Sequence, residues 1–455
     1  MSVDKGGTRH RWRRLVNPYP PLEVLDAEAI ERIHEAALDV LESLGVDVWS
    51  AAALDAFARA GAEVDRAGRH VRLDRGLVME AIAKAPAEFT LHARNPARSL
   101  IIGGNHVNFT MVAGPPHCTD LDRGRRAGTY ADLCDLIRLG QGLGPLHIGG
   151  GAPVAPIDLP AASRHLDGYH AFITLTDRSW HASGAGRQTV ADAIAMQAIA
   201  RGIDRDQLAR EPGLMTVINA NSPLRYDGPM LDGLMAMAEA GQAVIVTPFT
   251  LAGAMSPVTL AGAITQQNAE ALAGIALTQI VNPGAPVVYG GFTSNVDMKS
   301  GAPAFGTPEY ARAVVAGGQL ARRYRLPYRS SNVNASNVVD AQAGYESGVS
   351  LGATVMAHAN IVYHAAGWLE GGLSASFEKM VIDADALAQI ADFLDPEAPL
   401  SPPPDVDRGA DAARRANAIW KQILADFIPP PLDPAIDDAL RAYMARRKAE
   451  MVAAA

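Results

Sequence analysis

Polar and aromatic side chains gather where the short apolar runs of this 455-residue sequence end. Histidine and glutamate side chains can transfer protons, aromatic faces attract cations, and paired glycines let a large flat group approach the backbone. Candidates for such chemistry are Asn219, Tyr289, Gly290, Gly291, Phe292, Arg329, Asn332, Asn334, Tyr345, Glu346, His364 and Trp368. Each type also has a structural use, since asparagine closes turns and aromatic rings pack in cores.

A metal site finds little support in the sequence. The two cysteines, Cys118 and Cys134, are too few for a disulfide framework or a four-thiolate zinc site. His117 and Cys118 are adjacent, and the side chains of neighbouring strand residues diverge. Neither H-x-x-x-H nor H-E-x-x-H occurs. We therefore expect no bound metal.

Eight apolar runs alternate with helical patterns after residue 105. The runs are 107–112, 146–149, 179–183, 214–219, 243–247, 286–290, 326–330 and 360–364. The helical patterns cover 130–139, 161–175, 189–201, 230–240, 259–281, 309–324, 340–357 and 377–393. Eight such pairs are typical of an α/β fold of the (β/α)8 TIM-barrel type, whose active sites lie at the C-terminal ends of the strands. A doubly wound open sheet is the alternative, but no G-x-G-x-x-G follows the first run.

Three regions are predicted along the chain. Residues 1–105 read as a basic, proline-rich arm and a helical N-terminal subdomain, and 106–394 as the barrel. Residues 395–455 read as a proline-rich linker and a C-terminal helical extension. The last helices should pack on the outside of the barrel or on a second subunit, so we expect a homo-oligomer.

Composition excludes several classes of protein. The apolar fraction of 48% and charged fraction of 20% are those of an ordinary globular chain. A net charge of −9 disfavours nucleic acid as a partner. No uninterrupted apolar stretch reaches the length of about 18 residues that a membrane span needs, and no apolar segment of a signal peptide follows the basic N-terminus. A cytoplasmic protein is expected.

Two segments carry a resemblance to a known family. TDLDRGRRAGTYADL at 119–133 and SSNVNASNVVDAQAGYESG at 330–348 are similar to the trimethylamine methyltransferase (MttB) family, and DAQAGYES is the most specific part. The resemblance extends from about 29 to 393. It implies a barrel enzyme, and in the founding members of the family a pyrrolysine lies near the end of a late strand. The matching neighbourhood, 329–336, holds only standard residues. The chain therefore resembles the branch that lacks pyrrolysine.

The resemblance also implies a reaction. Members of that branch demethylate quaternary amines such as glycine betaine and pass the methyl group to the corrinoid of a separate protein. A quaternary ammonium leaves as a neutral amine, so catalysis reduces to positioning and desolvation. An unrelated TIM-barrel hydrolase or lyase and a non-catalytic methylated-amine-binding protein remain alternatives.

Barrel geometry then distributes roles among the candidates. The catalytic candidates are Glu346 and His364. The substrate-binding candidates are Tyr289, Phe292, Trp368, Arg329, Asn219 and Tyr345. The candidates for contact with the corrinoid (cobalamin) are Gly290, Gly291, Asn332 and Asn334. We expect Tyr289, Phe292 and Trp368 to form part of an aromatic cage around a trimethylammonium group.

Overall fold

The structure, a computed structural model, describes residues 10–397 and 411–453 and contains a closed parallel barrel. Seven of the eight apolar runs form its strands, which are His106–Met111, Trp180–His181, Leu214–Ile218, Ala243–Val246, Val287–Gly290, Tyr328–Ser331 and Ile361–Ala366. Each strand keeps the number of its run, so Leu214–Ile218 is the fourth strand and Tyr328–Ser331 the seventh. The second run contributes only Ile148, which bridges Thr110 of the first strand and Ser179 beside the third. The last strand pairs in parallel with the first, so the ring closes. The predicted (β/α)8 barrel is confirmed.

A helix follows each position in the barrel. These helices are Tyr130–Gly142, Arg164–Leu175, Arg187–Arg201, Gly228–Glu239, Leu260–Val281, Pro308–Arg323, Ala341–Met356 and Phe377–Phe393, and a short helix, Arg205–Arg210, precedes the fourth strand. Most begin at a polar cap. Thr129, for example, accepts a hydrogen bond from the backbone N–H of Asp132, whose carboxylate accepts one from the N–H of Thr129. Such caps fix the residue at which most of these helices begin.

Alternate residues of each strand point into the barrel or out toward the helices. Met215, Ile245, Val288 and Ile361 share one buried cluster inside the barrel. A hairpin of Glu88–Leu91 and Leu100–Gly103 adds side chains to that cluster. The hairpin lies at the N-terminal end of the strands, because the N–H of His92 donates to the carbonyl of Pro212, just before the fourth strand. The barrel is thus closed at one end, and a site can form only at the other.

The N-terminal region contains strands as well as the predicted helices. Its helices are Ala27–Asp39, Ala51–Arg59 and Arg75–Ile82, with a π-helical turn at Val40–Leu44 and a 3-10 turn at Pro96–Arg98. Its strands are Leu15–Val16, which pairs with the first barrel strand, and Val46–Val48, Glu63–Asp65 and His70–Arg72, which form a sheet with Arg225–Tyr226. The three helices pack on Leu260–Val281 of the barrel.

The C-terminal helices Ala412–Ala425 and Pro434–Ala453 pack on the outside of the barrel. The ring of Trp420 lies 5.0 Å from that of Phe377. The carboxylate of the buried Asp192 accepts hydrogen bonds from Arg447 and from the hydroxyl of Tyr443, each at 2.7 Å. Residues 398–410, which include most of the predicted proline-rich linker, lie outside the described residues. Within the described ranges no helix is long and apolar enough to cross a membrane.

Two small sheets cover the C-terminal end of the barrel. One consists of Phe249–Ala252, Phe292–Val296 and Pro303–Ala304, and the other of Trp368–Leu369, Ser374–Ser376, His117–Thr119 and Arg126–Ala127. A 3-10 turn, Glu370–Gly372, connects two strands of the second sheet. Phe249, Phe292 and Trp368 each begin a strand that closely follows a barrel strand. These aromatic residues therefore lie over the open end of the barrel.

Candidate functional site

A cavity of about 990 Å³ occupies the open end of the barrel. Its lining comes from the ends of the strands and from the loops that follow, and includes Ala113, Gly151, His181, Asn219, Thr247, Phe292, Phe305, Arg329, Tyr363, His364 and Trp368. Among the described residues, the lining includes arginine side chains but no aspartate or glutamate. A cavity of this size and charge suits a small ligand that carries an anionic group.

Arg329 is the charged residue deepest in this site. It lies on the seventh strand and is 3% exposed. Its Nε and Nη1 atoms are buried and have no hydrogen-bond partner in the described part of the chain. Burial lowers the pKa of Arg329 to about 10, which leaves the guanidinium charged at neutral pH. Burying a cation without an ion-pair partner carries a large desolvation free energy. An anionic ligand bound next to Arg329 would offset this free energy.

Three aromatic rings form a wall beside Arg329. The ring centroid of Phe292 lies 5.5 Å from that of Phe305 and 6.2 Å from that of Trp368, and the last two are 6.2 Å apart. The guanidinium carbon of Arg329 lies 5.5 Å from the Phe292 ring. The three rings belong to the cavity lining. They offer π faces to a cation within a few ångströms of the arginine.

His364 lies next to this wall and is uncharged at neutral pH. Its ring centroid is 4.1 Å from that of Trp368, and its Nδ1 accepts a hydrogen bond of 3.2 Å from the N–H of Ala113. Burial, with Arg329 and His181 nearby, lowers the pKa of His364 well below its usual value. Its backbone has a φ of 53°, which breaks the strand alternation, so that Tyr363 and His364 both line the cavity.

The structure brings five of the predicted residues together in this cavity: Asn219, Phe292, Arg329, His364 and Trp368. Asn219 is exposed and lies just past the end of the fourth strand. Phe292 and Trp368 begin strands of the two covering sheets. These five follow from the expectation that barrel sites gather at strand ends.

Tyr289 lies outside the cavity, so the structure does not place it in the expected cage. It follows the inward-facing Val288 and therefore points outward, where it is completely buried. Its hydroxyl donates to Oδ1 of Asn268 at 3.0 Å and accepts from the amide of Gln267 at 3.3 Å. Both partners belong to the helix Leu260–Val281. Tyr289 thus fixes the helix against the barrel.

Gly290 and Gly291 also lie outside the cavity lining. A Cβ on Gly290 would stand 1.9 Å from Oγ1 of Thr247, and one on Gly291 would stand 2.9 Å from the side chain of Gln267. The two glycines therefore allow Thr247 and Gln267 to pack closely against the backbone of residues 290 and 291. The backbone there contacts other parts of the chain instead of being presented to the flat cofactor that the sequence predicts.

Glu346 and Tyr345 lie on the helix Ala341–Met356, away from the cavity. The carboxylate of Glu346 accepts hydrogen bonds from the N–H groups of Ala335 and Ser336 at 2.9 and 3.0 Å. It therefore stabilises the loop after the seventh strand, and the structure does not place it where it could contact a substrate. Tyr345 is 59% exposed on the outer face of its helix.

Asn332 and Asn334 belong to the same loop and are buried. Nδ2 of Asn332 donates to Ser347 and to the carbonyl of Ala365, both at 3.1 Å. Asn334 donates to the carbonyl of Ala343 at 2.9 Å and accepts from the buried ammonium of Lys379 at 3.4 Å. These partners use the amides internally, so neither asparagine is presented to a cofactor.

The cavity lining also includes Phe305 and Tyr363, which are not among the predicted residues. Phe305 lies beyond the covering strand Pro303–Ala304, where no apolar run marks it. Tyr363 could be found by alternation, because it is two residues from the inward-facing Ile361. His181, recognisable as the end of the third run, lines the cavity as well.

One cluster of metal-ligand side chains occurs within the described residues. It consists of Glu31, His34 and Glu35 on the helix Ala27–Asp39. Nδ1 of His34 is hydrogen-bonded to the hydroxyl of Tyr324 at 2.8 Å. These residues are not part of the cavity lining.

Sequence comparison assigns the chain to a family. The profile described as Trimethylamine methyltransferase (MTTB) matches residues 2–402 and 406–452. The chain belongs to the trimethylamine methyltransferase family. It is 36% identical to the glycine betaine methyltransferase of Desulfitobacterium hafniense (strain Y51), over 95% of this chain and 98% of that protein.

Other members of the family are more distant. The proline betaine:corrinoid methyltransferase of Eubacterium limosum is 29% identical, over 78% of this chain and 74% of that protein. The trimethylamine methyltransferase MttB of Methanosarcina thermophila is 28% identical, over 81% and 77%. The solved structure of the hydroxylamine complex of MtmB matches the fold with a TM-score of 0.56 and 10% identity, and covers 90% of this chain and 80% of that one.

Proposed function

We propose that this enzyme transfers a methyl group from a quaternary amine that carries a carboxylate, such as glycine betaine, to the Co(I) corrinoid of a separate protein. The similarity to relatives named glycine betaine methyltransferase and proline betaine:corrinoid methyltransferase supports the reaction. The observation that carries the choice of substrate is the buried Arg329, whose Nε and Nη1 have no partner among the described residues, in a cavity that these residues line without a carboxylate. A substrate that brings its own carboxylate supplies the missing anion.

The trimethylammonium group fits the aromatic wall. A quaternary ammonium has no N–H to donate, so it is bound through ring faces. Phe292, Phe305 and Trp368 supply these faces, and Phe305 takes the place in the cage that we expected for Tyr289. A cation without an acid group would meet Arg329 in a lining to which the described part of the chain contributes no carboxylate, so the lining disfavours methylated amines of that kind.

The cavity has room for a methyl acceptor above the substrate. Gly114 and Gly168 belong to its lining, and within the described ranges no atom beyond their chain neighbours and the backbone of the Gly168 helix lies within 4 Å of the position that a Cβ would take on either glycine. The acceptor supplies the nucleophile, a Co(I) that attacks the methyl carbon. The C–N bond breaks, its electron pair stays on nitrogen, and the product is a neutral tertiary amine. No proton moves, which agrees with the neutral His364 beside the wall.

The protein then contributes position and desolvation. Arg329 holds the carboxylate, the aromatic wall holds the ammonium, and we place Asn219 at the carboxylate end as a further donor. The cavity excludes water from the cation, so the loss of charge on nitrogen during the reaction is favoured over the charged ground state. Proximity of the two reactants supplies the rest of the rate.

Calorimetric titration with three ligands tests the proposal. Glycine betaine has both charges, 3,3-dimethylbutanoate replaces its nitrogen with carbon, and tetramethylammonium lacks the carboxylate. We expect glycine betaine to bind more tightly than either analogue. Phe292→Leu and Trp368→Leu should each weaken glycine betaine by up to about thirtyfold, since a desolvated cation gains about 2 kcal/mol from a ring. Neither change should weaken 3,3-dimethylbutanoate to that extent.

Tyr289→Phe is the matched control, because it alters a buried aromatic residue of the adjoining strand outside the cavity. The affinity of the Tyr289→Phe variant for each of the three ligands should equal that of the unaltered enzyme. Tighter binding of tetramethylammonium than of glycine betaine would contradict the proposed substrate class. Equal losses for glycine betaine and 3,3-dimethylbutanoate in Phe292→Leu and Trp368→Leu would show that the wall does not recognise the charge.

A further inference from the structure

We infer that the hydroxyl of Tyr363 donates a hydrogen bond to the substrate carboxylate beside Arg329, and that His181 is a positioning residue that directs this hydroxyl. The inference rests on the proposed function, because it names a second contact for the carboxylate of the same substrate class. It follows from where the protons of three neighbouring groups must lie.

The tautomer of His181 is set by its neighbours. Its Nε2 accepts a hydrogen bond of 2.8 Å from the backbone N–H of Val217, so this nitrogen carries no proton. Burial and the charge of Arg329 lower the pKa of His181 to about 3, which keeps the ring neutral. A neutral imidazole has one N–H. That proton must be on Nδ1.

Tyr363 therefore accepts from His181. Nδ1 of His181 lies 2.7 Å from the Tyr363 hydroxyl oxygen and donates its proton to it. With this donor directed at its oxygen, the hydroxyl must point its own proton elsewhere. The described residues show no protein acceptor for it, and Tyr363 belongs to the cavity lining. Its O–H is thus left to donate into the cavity.

The hydroxyl belongs to the same anion site as Arg329. The guanidinium carbon of Arg329 lies 4.8 Å from the Tyr363 ring, and Arg329 and Tyr363 stand on adjacent strands of the barrel. His364 adds a donor by the same reasoning, because its Nδ1 accepts from Ala113 and its proton must be on Nε2. The cavity then presents donors fixed in direction by backbone hydrogen bonds. A carboxylate, which only accepts, is the matching group.

His181 is also held in place on a second side. A Cβ on Gly151 would stand 2.7 Å from Nδ1 of His181, so the glycine lets the loop backbone approach the imidazole. The backbone N–H of His181 also donates to the carbonyl of Gly150 in this loop at 2.8 Å. The imidazole, the loop and the phenol therefore form one fixed unit, and the direction of the phenol proton does not depend on the ligand.

Tyr363→Phe tests the inference by removing only the hydroxyl. A hydrogen bond to a charged group is worth about 1.5–3 kcal/mol, so the affinities for glycine betaine and 3,3-dimethylbutanoate should both fall about ten- to one-hundredfold. The affinity for tetramethylammonium, which has no carboxylate, should not change. Tyr328→Phe is the matched control, since Tyr328 is equally buried and donates to the carbonyl of Val314 outside the cavity.

The role of His181 must be tested by a measurement that a general loss of structure would not change in the same way. His181→Leu should raise the dissociation constant of the two carboxylates several-fold and leave that of tetramethylammonium unchanged. His181→Asn should restore part of the affinity, because its amide N–H can stand where Nδ1–H stands. A conservative rescue of this kind, confined to carboxylate ligands, separates a positioning role from a packing role.

The outcomes separate the two proposals. If Tyr363→Phe binds glycine betaine like the unaltered enzyme, the hydroxyl contact is refuted and the proposed function stands. Equal weakening of all three ligands by Tyr363→Phe would also refute the contact, because it would show a packing effect. Failure of the unaltered enzyme to bind glycine betaine or any other carboxylated quaternary amine would instead refute the proposed function.

Discussion

Replacing Arg329 with methionine should stabilise the ligand-free enzyme and abolish binding of its substrate. The side chain is 3% exposed, and its Nε and Nη1 have no hydrogen-bond partner in residues 10–397 and 411–453. Burial moves its pKa from the model-compound value of 12.5 to about 10. At about 1.4 kcal/mol per pKa unit, the buried charge costs about 3 kcal/mol of folding free energy at neutral pH. Methionine has a similar length and no charge to desolvate.

The sign follows from proton linkage. The folded-state pKa of Arg329 lies below that of the unfolded chain, so below pH 10 the group is charged in both states and opposes folding. Arg329→Met removes this opposition, and the melting temperature should rise by roughly a few degrees. Glycine betaine at one hundred times its dissociation constant should stabilise the unaltered enzyme by about 2.7 kcal/mol. It should not stabilise the variant.

Arg178 supplies the matched control. It is also 3% exposed, and burial lowers its pKa to about 9. Its guanidinium, however, donates to the carbonyls of Gly140, Gln141 and Leu143 at 2.6, 3.0 and 3.3 Å. Arg178→Met would leave these carbonyls unsatisfied and should destabilise the enzyme by about 3 kcal/mol or more. Thermal unfolding with and without glycine betaine measures both variants.

The two arginines must respond in opposite directions for the reasoning to hold. A fall in the melting temperature of Arg329→Met as large as that of Arg178→Met would show that Arg329 is satisfied in the free enzyme. A glycine betaine shift retained in Arg329→Met would show that the carboxylate binds elsewhere.

Two further predictions concern pH and Glu346. Affinity for glycine betaine should fall above about pH 10, where Arg329 loses its proton. It should be constant between pH 6 and 9, because burial lowers the pKa of His181 to about 3 and that of His364 well below its usual value. Calorimetry across this pH range measures the affinity, and a change near the ordinary histidine pKa of about 6.5 would contradict the prediction. Glu346→Gln should lower stability by about 1–3 kcal/mol through its contacts to Ala335 and Ser336 and leave affinity unchanged; an affinity loss without a stability loss would return Glu346 to the site.

The barrel could be predicted because its signal is repeated along the chain. Seven of the eight apolar runs form strands, and Leu260–Val281 and Phe377–Phe393 match their predicted helices closely. The second run shows the limit, since only Ile148 pairs there. An apolar run predicts burial, and the length of a strand depends on how the neighbouring strands twist past it.

The sequence predicts which strand ends contribute to the site, but it does not predict which side chains of those ends point into the cavity. Arg329 and Trp368 were identified by position alone, whereas Tyr289 points outward because it follows the inward Val288. The in-and-out alternation of the last strand directs Tyr363 into the cavity. His364 lines the cavity beside it because of its positive φ, which its residue type does not predict. Glu346 and Asn334 are polar residues whose backbone partners lie 11 and 9 residues away, across the turn between the seventh strand and its helix, so only the folded chain shows that they are satisfied internally.

The most direct test of the central claim is methyl transfer in vitro. The enzyme is mixed with Co(I) cobalamin and, in separate reactions, with glycine betaine, trimethylamine or tetramethylammonium, and methylated cobalamin and the demethylated amine are quantified together. The account predicts one dimethylglycine per methylated cobalamin from glycine betaine, with little product from the two amines that lack a carboxylate. Product from trimethylamine or tetramethylammonium at equal or greater rates, or none from glycine betaine or any other carboxylated quaternary amine, would contradict it.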